Sequence, residues 1–332
     1  MAAKSSTRRK AASPAWVVLK FGGTSVSSVE RWETIATLLR QRLAEGLRPV
    51  VVHSALATVS NKLDELLHRA LEMDVTAQVA GIRELHLRLA AGLQVDGEKE
   101  LGGYFRELEQ LLAGIHLIRE VSPRIQARVM GLGELMATRL GAAYLARVGL
   151  KVTWLDAREL LRSNMPPGTN ERSAWLAANC DFDPDAELQA RFAAEAGVVL
   201  TQGFIASNAR GDGALLGRGG SDTSGAYFAA KLQAAVLEIW TDVPGMFTAN
   251  PKVVPGARLL RLLSYEEAQE IASTGGSVLH PRCIRPCKRH DIPLKVLCTS
   301  QPELPGMLVT ARSGSDGPRV KAMAFRAADM PL

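Results

Sequence analysis

Long apolar runs are missing from this 332-residue sequence. None approaches the ~18 residues of a helical membrane span, so no segment is expected to cross a membrane. The N-terminal stretch MAAKSSTRRKAASPA lacks the apolar core of a secretory signal. It is basic and rich in Ser and Ala. Residues 1–14 are expected to form a disordered tail, with a transit peptide as the alternative. Cysteine is scarce: Cys180, Cys283, Cys287 and Cys298 do not make a disulfide framework in a chain of this length. The cytosol is the expected compartment. A basic binding face is missing too. The net charge is +6, but Lys4, Arg8, Arg9 and Lys10 supply four of those charges, leaving +2 for the remainder. The basic character belongs to the tail, and nucleic acid is not an expected partner.

The composition, 47% hydrophobic and 22% charged, fits a globular chain with one or two domains. Short β-branched runs alternate with long helical stretches. Strands are expected at 16–21, 50–54, 152–156, 198–204, 236–240 and 294–297. Ser27 with Glu30, and Ser264 with Glu267, read as S-x-x-E capping boxes, the first placing a helix start near Ser28. Residues 59–149 are almost all helical in pattern. The Leu-rich part, 63–112, reads as helix packing or a subunit contact, which leaves a homo-oligomer open. Ser313–Pro318, SGSDGP, reads as a loop or linker. Strand–helix alternation argues for an α/β fold, a mostly parallel sheet with helices on both faces.

Four stretches carry chemistry. In VVLKFGGTSVSSVE, Lys20 ends a strand, Gly22 and Gly23 follow, and Thr24 and Ser25 open a turn into a helix. The glycines allow close backbone approach, and a helix start favours an anion. A lysine there can neutralise a transferring phosphoryl group. An ordinary strand–turn–helix with an exposed lysine is the plain alternative. The Walker pattern and the protein-kinase signatures are absent. LLGRGGSDTSGAY, residues 215–227, is a second Gly-rich helix entry, with Arg218 suited to bidentate carboxylate or phosphate recognition and Asp222 readable as a mere N-cap. Two such entries point to two anionic reactants meeting between them. In MGLGELMATRL, Glu134 is either a solvated first-turn glutamate or the partner of an ammonium group. In IWTDVPGMFTANPKVV, Thr241 and Asp242 lie beyond a strand end, where α/β sheets bind ligands, and Lys252 could reach a phosphate. HPRCIRPCKRH sets His280, Cys283, Cys287 and His290 along one helical face, but about three turns spread them too far to share one tetrahedral zinc.

Taken in order, KFGGTS, GELM, LGRGGSD, TDVPG and VLHP resemble the aspartokinases of the amino acid kinase superfamily, from about Trp16 to about Phe325. The resemblance implies a three-layer α/β/α sandwich in two lobes. An aspartate lobe would span about 15–225 and a nucleotide lobe about 226–325, with a short tail at 326–332 and no ACT domains. It implies ATP-dependent phosphorylation of the β-carboxylate of L-aspartate, with Mg²⁺, as the first step toward lysine, threonine and methionine. Lys20 and Asp222 would be catalytic. Ser54, Ser60, Glu134, Arg218, Gly220 and Ser221 would bind aspartate, Glu134 taking its ammonium and Arg218 its α-carboxylate. Lys20, Gly22, Gly23, Thr24, Thr241, Asp242, Phe247, Lys252 and Ser277 would meet the nucleotide. No metal-ligating residue is assigned. Ala55 matches the second strand end beside Ser54, and Asn61 the substrate loop beside Ser60.

The sequence departs from the family in Phe247 for tyrosine, Asn250 for aspartate, Lys252 for arginine and Ser277 for lysine, all on the nucleotide side. Two rival readings follow. One is a relative acting on another acid, disfavoured by the Glu134 and Arg218 pair. The other is a regulatory or assembly module with a weakened ATP site, disfavoured by intact Lys20, Arg218 and Asp222. The chemistry itself needs no histidine base. A side-chain carboxylate is already ionised at neutral pH, and the difficulty is bringing it up to a polyanion.

Overall fold

A computed structural model describes residues 15–164, 168–274 and 278–312. The expected tails, the 313–318 linker and Ser277 lie outside these residues. In chain order, β1 (Trp16–Phe21) leads through a 3-10 turn (Gly23–Val26) into α1 (Val29–Ala44) and β2 (Arg48–His53). Four helices follow: α2 (Val59–Ala70), α3 (Thr76–Gly92), α4 (Gly97–Ile118) and α5 (Pro123–Arg147). Then come β3 (Val152–Trp154), α6 (Ala157–Leu160), β4 (Ser163–Asn164), α7 (Glu171–Leu176), β5 (Asn179–Cys180) and α8 (Ala186–Ala194). β6 (Val198–Gln202) precedes a hairpin of β7 (Ile205–Ser207) and β8 (Gly213–Leu215), then α9 (Gly220–Leu232) and β9 (Val236–Thr241). The remainder is β10 (Leu262–Ser264), α10 (Tyr265–Ser273), α11 (Pro281–Arg289), β11 (Leu294–Cys298) and β12 (Met307–Thr310).

Among the described residues eight strands form one sheet in the order β10-β12-β11-β9-β1-β2-β6-β3, in which only the β11–β12 pair is antiparallel. The alternation of β1 divides the core. Val17, Leu19 and Phe21 pack with Trp32, Leu63, Phe105 and Leu140, from α1, α2, α4 and α5. Val18, with Val50 and Val52 of β2, packs with Phe192, Phe228, Ala268 and Ile284, from α8, α9, α10 and α11. Both faces of the parallel strands are therefore covered, as their nearly continuous apolar sequences require. This is the three-layer arrangement.

β1 sits between β2 and β9, so the chain leaves β1 to one side and returns on the other. That makes a topological switch point, and the carboxyl ends of β1, β2, β6, β9 and β11 share one edge of the sheet. Lys20 is the last but one residue of β1 and falls on the α9 side, in alternation with Val18.

Several expectations are corrected. β2 runs 48–53 rather than 50–54, β3 ends at 154 because Asp156 caps α6, and β6 ends at 202 where Gly203 N–H turns to the His53 carbonyl. The Ser27–Glu30 capping box does not form. The 3-10 turn delays α1, and Ser27 Oγ donates to Gly23 O (2.6 Å) and accepts from Ala57 N (2.8 Å). Ser28 caps α1 instead, accepting from Arg31 N. The Ser264–Glu267 box is present in both directions. On α11, Cys283 and Cys287 are buried in the apolar layer, and burial pushes the Cys287 thiol up to about 12. His280 caps the start of this helix.

Gly141 of α5 lies against the Trp32 ring, which a Cβ would overlap, with His53 Nε2 only 3.0 Å from the same point. Overpacking a closed core costs about 1–3 kcal/mol. Gly141→Ala is expected to lose that much in urea denaturation. An unchanged midpoint would show that α5 and α1 can separate freely.

Candidate active site

The shared strand edge is stitched together by backbone contacts. Gly22 N–H donates to Trp240 O (3.2 Å), joining the ends of β1 and β9. Ser54 N–H donates to Phe21 O (3.2 Å), joining β2 to β1, and Thr299 N–H donates to Thr241 O (2.8 Å), joining β11 to β9. Gly23 is required by closeness: a Cβ there would come within 2.8 Å of Ala55 O. Gly22 does not offer its N–H to an anion, as the sequence suggested, because Trp240 holds it. A Cβ on Gly22 would stand 3.7 Å from Lys20 Nζ, an ordinary contact, so closeness to the lysine does not demand a glycine here. Thr24 is exposed in the 3-10 turn, and buried Ser25 bonds Thr299 Oγ1 at 2.8 Å.

Lys20 and Asp222 form the charged centre. Nζ lies 2.5 Å from Oδ1, with both side chains largely withdrawn from water. Asp222 is not the N-cap of α9. Gly219 is, and Asp222 stands in the first turn, where the helix dipole favours a carboxylate. Gly225, one turn further on, lets α9 approach β1: a Cβ there would be 3.2 Å from Lys20 Cβ. Oδ1 makes an ion pair but no directed hydrogen bond, and it is the hard oxygen donor that a divalent cation takes. Among the described residues no three His, Cys, Asp or Glu converge into a metal cage. A divalent cation held here would take Asp222 as a ligand and bring most of the others itself.

Glu134 is not a first-turn glutamate. It lies mid-helix in α5, 2% exposed, with Oε1 accepting from Ala55 N (3.2 Å) and Oε2 buried without a partner. Burial pushes its carboxyl up to about 8. The glycine before it is an interhelical contact, since a Cβ on Gly133 would press on Ala55, Leu63 and Val59. One turn along, Thr138 Oγ1 accepts from Gln202 Nε2 (2.9 Å) and Trp154 Nε1 (3.0 Å), fixing α5 to the sheet. Ser60 is half-buried in the first turn of α2, with Asn61 exposed beside it. Thr58 before them holds a left-handed φ of 71°, a strained backbone at the loop that faces this edge.

Arg218 stands exposed between two left-handed glycines, Gly217 (φ 72°) and Gly219 (φ 66°), and forms no ion pair among the described residues. Ser221 rests on Gly203, where a Cβ would approach it to 2.7 Å, and Gly220 faces the Phe204 ring. Gly203 and Phe204 are missed by sequence reasoning. The signal was the glycine directly after a strand. Thr241 and Asp242 are hydrogen-bonded to each other at the end of β9 (3.0 Å). Phe247 and exposed Lys252 lie on the loop between β9 and β10, and Lys252 forms no ion pair among the described residues. Asn250 shapes that loop, its Oδ1 accepting from Lys252 N (3.0 Å), a bond an aspartate would also make.

The amino acid kinase family model matches residues 15–298. Aspartokinase 2, chloroplastic, of Arabidopsis thaliana is 34% identical over 305 residues, 88% of this chain and 54% of that protein. Lysine-sensitive aspartokinase 3 of Escherichia coli K12 is 33% identical over 315 residues, 93% of this chain and 67% of that protein. The solved structure of E. coli aspartokinase III with aspartate and ADP, in its R-state, superposes with a TM-score of 0.79 at 32% identity, covering 90% of this chain and 65% of that one. The chain spans from about a third to two thirds of the length of the relatives it matches.

A Cβ on Gly219 would overlap the His280 ring. Gly46 shares its left-handed φ (75°) but has nothing within 4 Å. Gly46→Ala should therefore lose only the dihedral cost, about 1–2 kcal/mol. Gly219→Ala should lose at least about 1 kcal/mol more. Equal losses in denaturation would mean that His280 does not back this turn.

Proposed function

The chain belongs to the amino acid kinase family, and on that premise we propose that it transfers the γ-phosphoryl group of ATP to the side-chain carboxylate of L-aspartate. The observation that carries this reading is Glu134. A buried carboxyl with one unpartnered oxygen, held against the strand-end turn, is suited to a ligand that brings its own cation. An α-ammonium group is such a cation. Arg218, exposed on a rigid turn, supplies a fork for the α-carboxylate.

The β-carboxylate arrives ionised, so no base is needed. Lys20 stands at the strand edge to offset charge on the transferring group, and Asp222 holds its ammonium in place until the phosphates arrive. Asp222 would be the carboxylate to hold a Mg²⁺ ion brought with the nucleotide, which would supply further charge neutralisation. Ser54, Ser60, Gly220 and Ser221 line the aspartate side, within residues 15–225. Gly22, Gly23 and Thr24, from the first lobe, and Thr241, Asp242, Phe247 and Lys252, from the lobe that begins at about 226, are assigned to the nucleotide. Cytoplasmic placement and the opening step toward lysine, threonine and methionine go with this reading.

Hydroxylamine trapping tests it. ATP with aspartate should yield a hydroxamate. Succinate, which lacks the ammonium group, should yield little. No product from aspartate would sink the proposal.

Arg218→Lys keeps the charge and loses the bidentate fork. A charged hydrogen bond is worth about 1.5–3 kcal/mol, so the aspartate KM should rise roughly ten- to hundredfold with a smaller effect on ATP. An unchanged aspartate KM removes Arg218 from the substrate site.

Glu134 also predicts a proton. With its carboxyl held up to about 8, it is mostly protonated at pH 7 in the empty site. An ammonium partner favours the ionised form and pulls this value back down. Aspartate binding should therefore release close to one proton at pH 7 and tighten as pH rises toward 8. Calorimetry in buffers of different ionisation enthalpy measures this. Buffer dependence that survives in Glu134→Gln would assign the proton elsewhere.

A further inference from the structure

Among the described residues the Arg218 side chain forms no ion pair, so its direction depends on the backbone that carries it. That backbone is held from outside. His280 lies directly against Gly219, its ring filling the space a Cβ would take. Its Nδ1 accepts from Arg282 N (3.3 Å) as the cap of α11, which places the ring proton on Nε2. Two residues on, Arg282 donates through Nη1 to Leu216 O, and through Nη2 to Ala178 O (2.9 Å) and Asn179 Oδ1 (2.7 Å). Ala178 N–H in turn donates to Leu215 O (2.8 Å), and Leu216 N–H to Phe204 O (2.8 Å). Leu216 and Gly219 bracket Arg218, and one turn of α11 grips both.

We propose that His280 and Arg282 are positioning residues that fix the direction of the Arg218 guanidinium, and so set affinity for the α-carboxylate of the amino acid substrate without touching it. The proposal rests on the reading of Arg218 given above. It makes a helix of the nucleotide half of the chain the support of a residue in the substrate half.

His280→Asn separates the two tasks of the histidine. Asparagine is a strong N-cap and keeps the bond to Arg282 N, but no ring remains under Gly219. The aspartate KM should rise about five- to twentyfold, with the ATP KM within twofold and the melting temperature little changed. His280→Phe keeps a ring and loses the cap, so it should lower the melting temperature and disturb the aspartate KM less. If His280 acts through Arg218, adding His280→Asn to Arg218→Lys should raise the aspartate KM further by less than twofold. Hydrogen exchange gives a readout independent of substrate: amides 216–220 should exchange faster in His280→Asn than in the parent chain. Failure of the parent chain to form aspartyl hydroxamate would count against the substrate reading alone, and the exchange result would still decide the positioning. Unchanged exchange, equal rises in both KM values, or fully multiplicative effects with Arg218→Lys would each overturn the proposal.

Discussion

The contact on which the site depends is the ion pair of Lys20 with Asp222, 2.5 Å long and largely out of water. Burying two charges is costly unless geometry is good, and much of the surrounding architecture serves that geometry. β1 must lie at the centre of a parallel sheet for Lys20 to reach the strand edge. α9 must cross close above it, which Gly225 permits. The helix must start where Asp222 meets both its dipole and the ammonium group. Lys20 is thus matched by an anion of the chain itself.

A second charge is managed the opposite way. Among the described residues Glu134 pairs with no cation, and burial favours its protonated form. One carboxylate is held as half of a pair and the other is held neutral. The neutral one leaves an oxygen unpartnered inside the protein.

Much of the fold was legible in the sequence because its signals are local. The apolar runs of β1, β2, β6, β9 and β11 and the helical stretch from 59 to 149 need no knowledge of partners. Lys20, Gly22, Gly23, Arg218 and Asp222 stood out for the same reason. What stayed hidden was set by distant neighbours. The burial of Glu134 depends on Ala55, 79 positions away, and the glycines before it looked like a helix entrance when they are contacts within a long helix. Ser27 was drawn from its expected cap by Ala57, 30 positions away. The support of Gly219 by His280 leaves no pattern in either segment alone. The departures at Phe247, Asn250 and Lys252 gather on one loop between β9 and β10, and Asn250 keeps the acceptor that the loop turn needs.

The central position of β1 also governs the order in which the molecule can assemble. One neighbour, β2, follows within the next few dozen residues, but the other, β9, closes contacts such as Ser25 with Trp240 across 215 positions. During synthesis from the N-terminus, β1 and β2 can pair early while the opposite edge of β1 stays open, a hazard for association with other chains until β9 emerges. The turn after β1 is completed by that late strand and by Thr299 beyond it, so a nascent chain cannot hold this turn in place before nearly all the described residues have been made.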